Sequence, residues 1–288
     1  MPDRARTIAE EALRVAGLGP FMGLHAVGGG DIAVAYRVEA AAQRAFLKIG
    51  LRAHPFDAEA AALAEIAATH ALRAPRVLAH GVAEGAGYLL LEWIDLAEDG
   101  DWTAAGRQLA ALHACVRASH GWSRDNAIGA SPQFNAPSAN WAEFYSERRL
   151  RPQFALARSN RLPHLAALEE QACRAADALL ADHAPPPSLL HGDLWRGNFA
   201  FERDGAPVIF DPATYYGDAE TDLAMTRLFG GFPQQLYRAY ADARPPAAGA
   251  GQRLALYQLY HVLNHANLFG GGYVAQAVAL IERLDQRR

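Results

Sequence analysis

The chain has 288 residues, enough for two domains or for one domain with two lobes. A 51% apolar and 20% charged composition excludes a disordered chain, and a net charge of −4 excludes the basic surface typical of nucleic-acid-binding proteins. The apolar runs are too short to span a membrane, and the first residues lack the apolar core of a signal peptide. The two cysteines, Cys115 and Cys173, indicate buried thiols in a reducing compartment. We therefore expect a cytoplasmic protein.

The first third of the chain predicts an antiparallel sheet interrupted by one helix. A short helix over residues 5–16 precedes the sheet, and a second over 56–69 lies within it, with Asp57 as its expected N-terminal cap. The alternation of apolar residues and the turn residues predict five strands, over 23–27, 33–39, 44–49, 75–82 and 88–93.

After residue 93 the apolar periodicity becomes helical. Helices are predicted over 102–118, 139–157, 164–183, 219–229, 233–242, 249–268 and 272–286. A strand-and-loop insert over 188–217 interrupts them, directly after three prolines that end the preceding helix. We therefore expect an α+β fold with a sheet-rich N-terminal lobe, residues 1–93, and a larger helical C-terminal lobe, residues 94–288.

The densest chemical signal lies in the insert, in His191-Gly192-Asp193-Leu194-Trp195-Arg196-Gly197-Asn198 and then Phe210-Asp211-Pro212. Phosphoryl transfer from ATP needs a carboxylate beside the attacking hydroxyl, neutralised phosphates and groups that hold a metal. Asp193 can accept or orient the hydroxyl proton, while Asn198 and Asp211 offer the hard oxygen ligands that Mg²⁺ prefers. Each element alone is also typical of a turn or a cap, but their order between strands predicts a kinase site.

The N-terminal lobe offers a cation for the phosphates. Lys48 lies on the third predicted strand, where it either reaches inward to phosphates or points to solvent as an edge-strand lysine. Glu59 on the following helix is its predicted partner, with Glu65 as the alternative.

Two backbone segments complete the predicted nucleotide site. The glycines Gly28, Gly29 and Gly30 lie between the first two strands, where the backbone could fold closely over phosphates or simply form a flexible turn. From their position between the lobes, Glu92, Trp93 and Ile94 would offer backbone hydrogen bonds to adenine.

Together these residues resemble the protein-kinase-like superfamily and, within it, the fructosamine kinase (ketosamine-3-kinase) family. The resemblance covers all but about the first twenty residues, and two of its blocks are typical of that family rather than of kinases at large. Its motifs are Gly28–Gly30, His191–Trp195, Asp211–Gly217, Glu220, Asp222–Met225 and Leu228–Phe232, and the two family blocks are Ile128–Asn135 with Trp141, Phe144, Tyr145, Arg149 and Leu150, and Leu259–Tyr273.

The resemblance implies a bilobal protein-kinase-like fold and ATP-dependent phosphorylation of the sugar 3-hydroxyl of a ketosamine, a deglycation repair reaction that uses ATP and Mg²⁺. It implies that Asp193 is catalytic, that Asn198 and Asp211 hold the metal, and that Lys48 with Glu59 forms the phosphate-binding pair. Many relatives carry a cysteine where this chain has Asp31, so we expect no disulfide switch there.

The acceptor must lie against Asp193, and candidate contacts follow the catalytic loop or lie on the C-terminal helices. Trp195 could stack on a sugar face or pack between loop and helix, and Asp222 is expected to hold the loop backbone. A helix carrying His261 and His265 has zinc-ligand spacing but no evident third ligand, which favours sugar binding or core hydrogen bonds. The candidate acceptor residues are Trp195, Tyr215, Asp218, His265 and Asn267.

The expected partner is a small ketosamine, a glycated amine or a glycated protein lysine, and the expected state is a monomer or weak dimer. Neither nucleic acid nor a membrane is expected as a partner. The alternative acceptors are aminoglycoside-like, choline-like or other hydroxylated small molecules. A non-catalytic ATP-binding module is a further alternative, but the chain keeps all of Lys48, Asp193, Asn198 and Asp211.

Overall fold

The computed structural model describes residues 2–29, 33–50 and 56–285, which fall into two compact units. The first unit consists of Met1–Asp101 and Ala200–Asp211, and the second of Trp102–Phe199 and Pro212–Arg288. The first unit extends to Asp101 and includes residues 200–211, because the short strand β6 (Leu96–Ala97) pairs with β10 (Phe199–Glu202) in a three-stranded sheet. No helix in the part of the chain described combines the length and apolarity that a membrane span requires.

A five-stranded antiparallel sheet forms the first unit, in the order β1-β2-β3-β5-β4, which confirms the predicted sheet. Its strands are β1 Phe21–Gly29, β2 Ala33–Ala40, β3 Arg44–Gly50, β4 Val77–Ala83 and β5 Ala86–Glu92. Two helices accompany it, α1 Pro2–Ala16 and α2 Asp57–Ala68. The N-cap of α2 is Phe56, so the predicted cap at Asp57 is wrong by one residue, and Asp57 instead pairs with His80 Nδ1 at 3.0 Å.

The alternation of side chains along β3 decides where Lys48 points. Ala45, Leu47 and Ile49 are buried in one hydrophobic cluster with Ile8 and other apolar residues of α1. Because successive side chains of a strand point to opposite faces, Lys48 projects from the face opposite to that cluster. The sequence pattern that builds the core therefore also fixes the direction of the lysine.

The second unit is mainly helical. Its helices are α3 Trp102–His113, α4 Trp141–Tyr145, a π-helical turn Ser146–Leu150, α5 Arg151–Ser159, α6 Pro163–Ala166, α7 Glu169–Leu180, α8 Glu220–Met225, α9 Gln234–Ala243, α10 Ala250–Phe269 and α11 Gly272–Asp285. Helix α10 packs against α5, α7, α8 and α11, and most of its residues are buried.

Two predicted helices are interrupted in the structure. The helix predicted over 139–157 consists of α4, the π-helical turn and α5, and α5 has Pro152 in its first turn, where the missing N–H is tolerated. The helix predicted over 164–183 is divided into α6 and α7. The helix predicted over 102–118 ends at His113, because the following residues pair with strand β9 (Ser188–Leu190), including a bridge from Val116 to Ser188.

Short strands frame the insert. They are β6 Leu96–Ala97, β9 Ser188–Leu190, β10 Phe199–Glu202, β11 Pro207–Ile209 and β12 Tyr215–Gly217. A hairpin of β7 Asn126–Ile128 and β8 Ser131–Gln133 was not predicted, because three-residue strands, one of which contains Pro132, show no alternation that a sequence reading can detect. Strands β9 and β12 pair in antiparallel register, Leu190 opposite Tyr215.

Candidate active site

The candidate catalytic loop begins where β9 ends. It runs from His191 to a 3₁₀ turn at Arg196–Asn198 and continues into β10. Asp193 is half-buried and Asn198 is buried, so the loop presents its carboxylate from a well-packed base.

Hydrogen bonds inside the loop orient the Asp193 carboxylate. Asn198 Nδ2 donates to the Asp193 carbonyl oxygen at 2.9 Å and to Asp193 Oδ2 at 3.1 Å. The Asp193 backbone N–H donates to His191 Nδ1 at 3.2 Å. Both contacts of Asn198 are made by its amide nitrogen. The amide oxygen, Oδ1, is a ligand of the kind that Mg²⁺ prefers, so the Asn198 side chain fits the predicted metal ligand.

Asp222 on α8 holds the start of the loop, as the sequence predicted. Its Oδ2 accepts from the His191 N–H at 2.8 Å and its Oδ1 from the Gly192 N–H at 2.9 Å. Gly192 has φ of +83°, and a Cβ atom there would lie 2.1 Å from the Ala213 carbonyl oxygen. Only glycine fits this position, because both the left-handed backbone and the close approach exclude a side chain.

His113, at the end of α3, completes the environment of Asp222. Its Nε2 lies 3.1 Å from Asp222 Oδ2, and its Nδ1 lies 2.8 Å from the Tyr240 hydroxyl. Burial alone would raise the pKa of Asp222, but the hydrogen bond and charge of His113, the charge of His191 and the Gly192 N–H together lower it below its usual value. Asp222 is therefore an ionised, fully buried anchor.

In the first unit, Lys48 lies between two carboxylates. Its Nζ is 2.7 Å from Glu59 Oε1 and 3.0 Å from Asp211 Oδ1. The predicted Lys48–Glu59 pair is thus present in the structure. Burial alone would lower the pKa of Lys48, but the charges of Glu59 and Asp211 and their hydrogen bonds raise it above its usual value, so the amine is a permanent cation.

Lys48 is also the only lysine in the chain, and every other cation among its 27 lysine and arginine residues is an arginine. An ammonium is a compact charge that suits a phosphate without imposing the planar geometry of a guanidinium. The sequence alone therefore distinguishes Lys48 from the other cations of the chain, because all of those are arginines.

Asp211 has an uncommon backbone conformation. Its φ is +57°, in the left-handed region that non-glycine residues rarely adopt. Its side chain is 47% exposed although one oxygen contacts Lys48. Strained backbone of this kind concentrates at functional sites, and a half-exposed carboxylate is a hard ligand, so Asp211 also fits the metal-ligand prediction.

The predicted glycine loop is described in part. Gly28 has φ of +104° within a register shift of β1 against β2, and Gly29 ends β1 opposite Val34. Gly30 and Asp31 lie outside the residues that the structure describes. The register shift bends the end of β1, as a bulge does in an antiparallel pair.

The predicted adenine segment begins at the last residue of β5. Glu92 closes the ladder, and its Oε1 accepts from Arg73 and from the Arg76 N–H, each at 2.6 Å. Burial alone would raise the pKa of Glu92, but these donors lower it. Trp93 and Ile94 follow the end of the strand, beyond its pairing with β3.

Trp195 is the most exposed of the candidate acceptor residues. Its side chain is 38% exposed, and one edge contacts the Phe229 ring at a centroid distance of 6.2 Å. A Cβ atom at Gly197 would lie 2.3 Å from the Trp195 ring, so the indole lies directly on the loop backbone. The ring therefore both packs on the loop and presents exposed surface.

His265 belongs to an aromatic cluster that the sequence analysis did not identify. Its ring lies 4.7 Å from Phe229, 5.1 Å from Tyr273 and 5.6 Å from Phe269. Burial lowers the pKa of His265, against a smaller raising effect of the His261 carbonyl, which lies 2.8 Å from Nδ1. The motifs Leu228–Phe232 and Leu259–Tyr273 contain all four rings and are the signal from which the cluster could have been found.

The other three candidate acceptor residues are engaged inside the protein. The Tyr215 ring is buried, with the Arg149 guanidinium 3.9 Å from its centroid. Asp218 is also buried, and its Oδ2 contacts His183 Nε2 and accepts from the Tyr257 hydroxyl, each at 2.6 Å. Asn267 Nδ2 donates to the carbonyl and side-chain oxygens of Gln153.

The fructosamine kinase family profile matches residues 8–287. The chain is 44% identical over 287 residues to a "Probable ketoamine kinase" of Synechocystis sp., and the match covers 96% of each chain. It is 38% identical over 269 residues to a chloroplastic protein-ribulosamine 3-kinase of Arabidopsis thaliana, and that match covers 89% of this chain and 80% of the relative. The chain belongs to the fructosamine kinase family.

Solved structures agree with the predicted fold class. A Haemophilus somnus 129PT protein assigned as a fructosamine-3-kinase superposes with a TM-score of 0.89 at 27% identity, covering 98% of this chain and 97% of the other. The aminoglycoside phosphotransferase APH(4)-Ia, in a complex with AMP-PNP and hygromycin B, gives a TM-score of 0.63 at 17% identity, covering 96% and 97%. The second likeness shows the fold alone, and it confirms the α+β protein-kinase-like class for this fructosamine kinase family member.

We expect Asp222→Asn to lower the free energy of unfolding by about 3 kcal/mol at pH 7, because it breaks a buried charged network. In the wild type, folding lowers the pKa of Asp222, so in acid the unfolded chain binds more protons than the folded chain does. The contribution of Asp222 to the free energy of unfolding is therefore complete above the pKa of the unfolded state. It is lost as the pH falls through the pKa of the folded state. Denaturant unfolding between pH 2 and pH 7 should therefore show a shallower rise of stability with pH in the variant.

The matched control is Asp182→Asn, at an exposed position after α7. It should leave both the stability and its pH dependence near those of the wild type. Equal pH profiles for the Asp222 variant and the wild type would show that Asp222 is not an ionised anchor.

Proposed function

We propose that the protein is an ATP-dependent kinase that phosphorylates the 3-hydroxyl of the sugar moiety of fructosamines and related ketosamines, and so acts in deglycation repair. Family membership supports the proposal, as do the names of the relatives, a ketoamine kinase and a protein-ribulosamine 3-kinase. The observation that carries it is the Asp193 carboxylate, oriented by Asn198 in a loop whose backbone is anchored by Asp222.

Asp193 is the proposed catalytic residue. The transition state of phosphoryl transfer is loose, so the carboxylate has to position the sugar hydroxyl more than it has to act as a strong base. The Asn198 contact at 3.1 Å holds one carboxylate oxygen, which sets the direction in which the side chain meets an acceptor. A fixed carboxylate reduces the entropy lost when the hydroxyl is aligned.

Lys48 is the proposed phosphate ligand, and Glu59 keeps its ammonium in place. The backbone of Gly28, Gly29 and Gly30 is proposed to cover the phosphates, and the segment Glu92, Trp93 and Ile94 to hydrogen-bond to adenine. Asn198 and Asp211 are the proposed Mg²⁺ ligands. A bound Mg²⁺ supplies charge neutralisation on the phosphate oxygens.

Trp195 and His265 are the proposed acceptor contacts. The exposed indole offers a flat apolar face to a sugar ring. Because the His261 carbonyl can only accept, His265 Nδ1 carries the proton, and its lowered pKa keeps the ring neutral at pH 7. Its Nε2 is then an acceptor for a sugar hydroxyl. Tyr215, Asp218 and Asn267 are proposed to position their neighbours rather than to touch the acceptor, since their side chains are engaged internally.

The proposed acceptor is a small ketosamine or a glycated lysine, free or within a protein. Purified protein with MgATP should form ADP with fructosyl-lysine or ribulosyl-lysine, and the product should carry phosphate on the sugar. Asp193→Asn should lower kcat by roughly a thousandfold and leave ATP affinity within about twofold, because the carboxylate acts on the hydroxyl.

A panel of kanamycin and choline beside the ketosamines separates the acceptor classes. Preferential turnover of kanamycin or choline would overturn the ketosamine assignment while keeping the kinase. Full activity of the Asp193→Asn variant would remove the catalytic assignment itself.

Lys48→Met should raise the KM for ATP by about tenfold or more, since a charged hydrogen bond to phosphate is lost. Isothermal titration calorimetry of MgATP should show the same loss of affinity in this variant. Equal KM values and equal affinities for MgATP in the variant and the wild type would show that the lysine does not bind the nucleotide.

A further inference from the structure

The second unit contains a cavity that the proposed reaction does not use. Its volume is about 570 Å³, within the range of small-molecule sites. The apolar part of its wall comes from α8, α9, the start of α10 and two proline pairs. These residues include Leu223, Tyr237, Tyr240, Leu254, Pro185 and Pro245.

The charges around the cavity are not balanced. Asp218 and Glu220 line it, but Asp218 pairs with His183 at 2.6 Å and Glu220 pairs with Arg253 at 2.7 Å. Arg227 and Arg244 also line it, and neither has a carboxylate within 4.0 Å in the described part of the chain. Two cations of the cavity wall are therefore without a carboxylate partner among the described residues.

The same pairing argues against a metal at this place. His183, Asp218 and Glu220 bring three possible ligand atoms within 4.8 Å of one another. However, Asp218 Oδ2 contacts His183 and Tyr257, and both carboxylate oxygens of Glu220 accept from Arg253. These carboxylate oxygens are already engaged by the neighbouring side chains, so a cation would have to displace existing partners.

Arg227 is the better placed of the two unpaired cations. Its guanidinium lies 4.0 Å from the Tyr237 ring centroid, and its one hydrogen bond to a described residue, the Leu223 carbonyl, is long at 3.4 Å. Arg244 already donates to the His113 carbonyl and to Ser188 Oγ. A planar guanidinium that lies on an aromatic ring at the edge of an apolar cavity suits a carboxylate, sulfonate or phosphate attached to an apolar body.

The cavity wall is connected to the catalytic loop. Tyr240 lines the cavity and its hydroxyl lies 2.8 Å from His113 Nδ1, while His113 Nε2 lies 3.1 Å from Asp222. Asp222 in turn holds the backbone N–H groups of His191 and Gly192. A molecule that moves Tyr240 or α8 would therefore act on the residues that orient Asp193.

We propose that this cavity is an effector site for a small apolar anion and that its occupancy is coupled to the catalytic loop through Tyr240, His113 and Asp222. The binding part of the proposal stands on the cavity alone, and the coupling part rests on the proposed kinase function. The ligand class is an aromatic or aliphatic body with one anionic group.

The probe is 8-anilinonaphthalene-1-sulfonate, whose fluorescence rises in apolar sites, and N-phenyl-1-naphthylamine is the comparison without the sulfonate. With the nucleotide site saturated by MgATP, the sulfonate should bind at one site per chain and more tightly than the neutral amine. Arg227→Gln should weaken its affinity about tenfold, and Ala241→Trp should abolish binding by filling the cavity. Arg238→Gln, at an exposed position on α9 outside the cavity wall, is the matched control and should bind like the wild type.

Unchanged affinity in both the Arg227 and the Ala241 variants would overturn the site. For the coupling, saturating sulfonate should change kcat for a ketosamine in the wild type, and Tyr240→Phe should keep the binding but reduce that change. Binding with no effect on kcat would overturn the coupling. If the wild type turned over no ketosamine, the proposed function would fail, while the binding measurements would still decide the site.

Discussion

One buried carboxylate holds the part of the molecule on which the proposed chemistry depends. Asp222 accepts the two backbone N–H groups at the start of the loop that carries Asp193, and His113 Nε2 contacts it from α3. A buried charge is tolerated only with such partners, because an uncompensated one costs several kcal/mol. The anchoring therefore joins α3, α8 and the loop into one cooperative arrangement, and the left-handed Gly192 lets the chain turn within it.

In the first unit, the charged group that is removed from water is a cation, Lys48. Lys48 is largely buried, yet Glu59 and Asp211 keep it charged and hold its ammonium in one position. Asp211 reaches this contact from a left-handed backbone, whereas the left-handed position in the loop of the other unit is occupied by Gly192, which adopts it without strain. At Asp211 the uncommon conformation is retained because the surrounding contacts determine it.

Much of the fold and the candidate residues could be predicted because short-range patterns determine them. The alternation in β3 fixes the face of Lys48, and the Asp193-to-Asn198 spacing places both side chains on one loop. His113 was missed because it meets Asp222 across 109 residues, and the ring cluster around His265 was missed because it joins distant motifs by tertiary packing. The break between α4 and α5 escaped prediction because the apolar period continues through the π-helical turn.

The most direct test of the anchored loop is amide hydrogen exchange at His191 and Gly192, followed by NMR on the uniformly ¹⁵N-labelled protein. Exchange at an amide reports whether its hydrogen bond opens locally or only in a larger unfolding event. If Asp222 fixes the loop, both amides should exchange as slowly as the core of α10. If they exchange at the rate of exposed loop amides such as Arg203, the loop opens freely, and the account of how this chain positions Asp193 is contradicted.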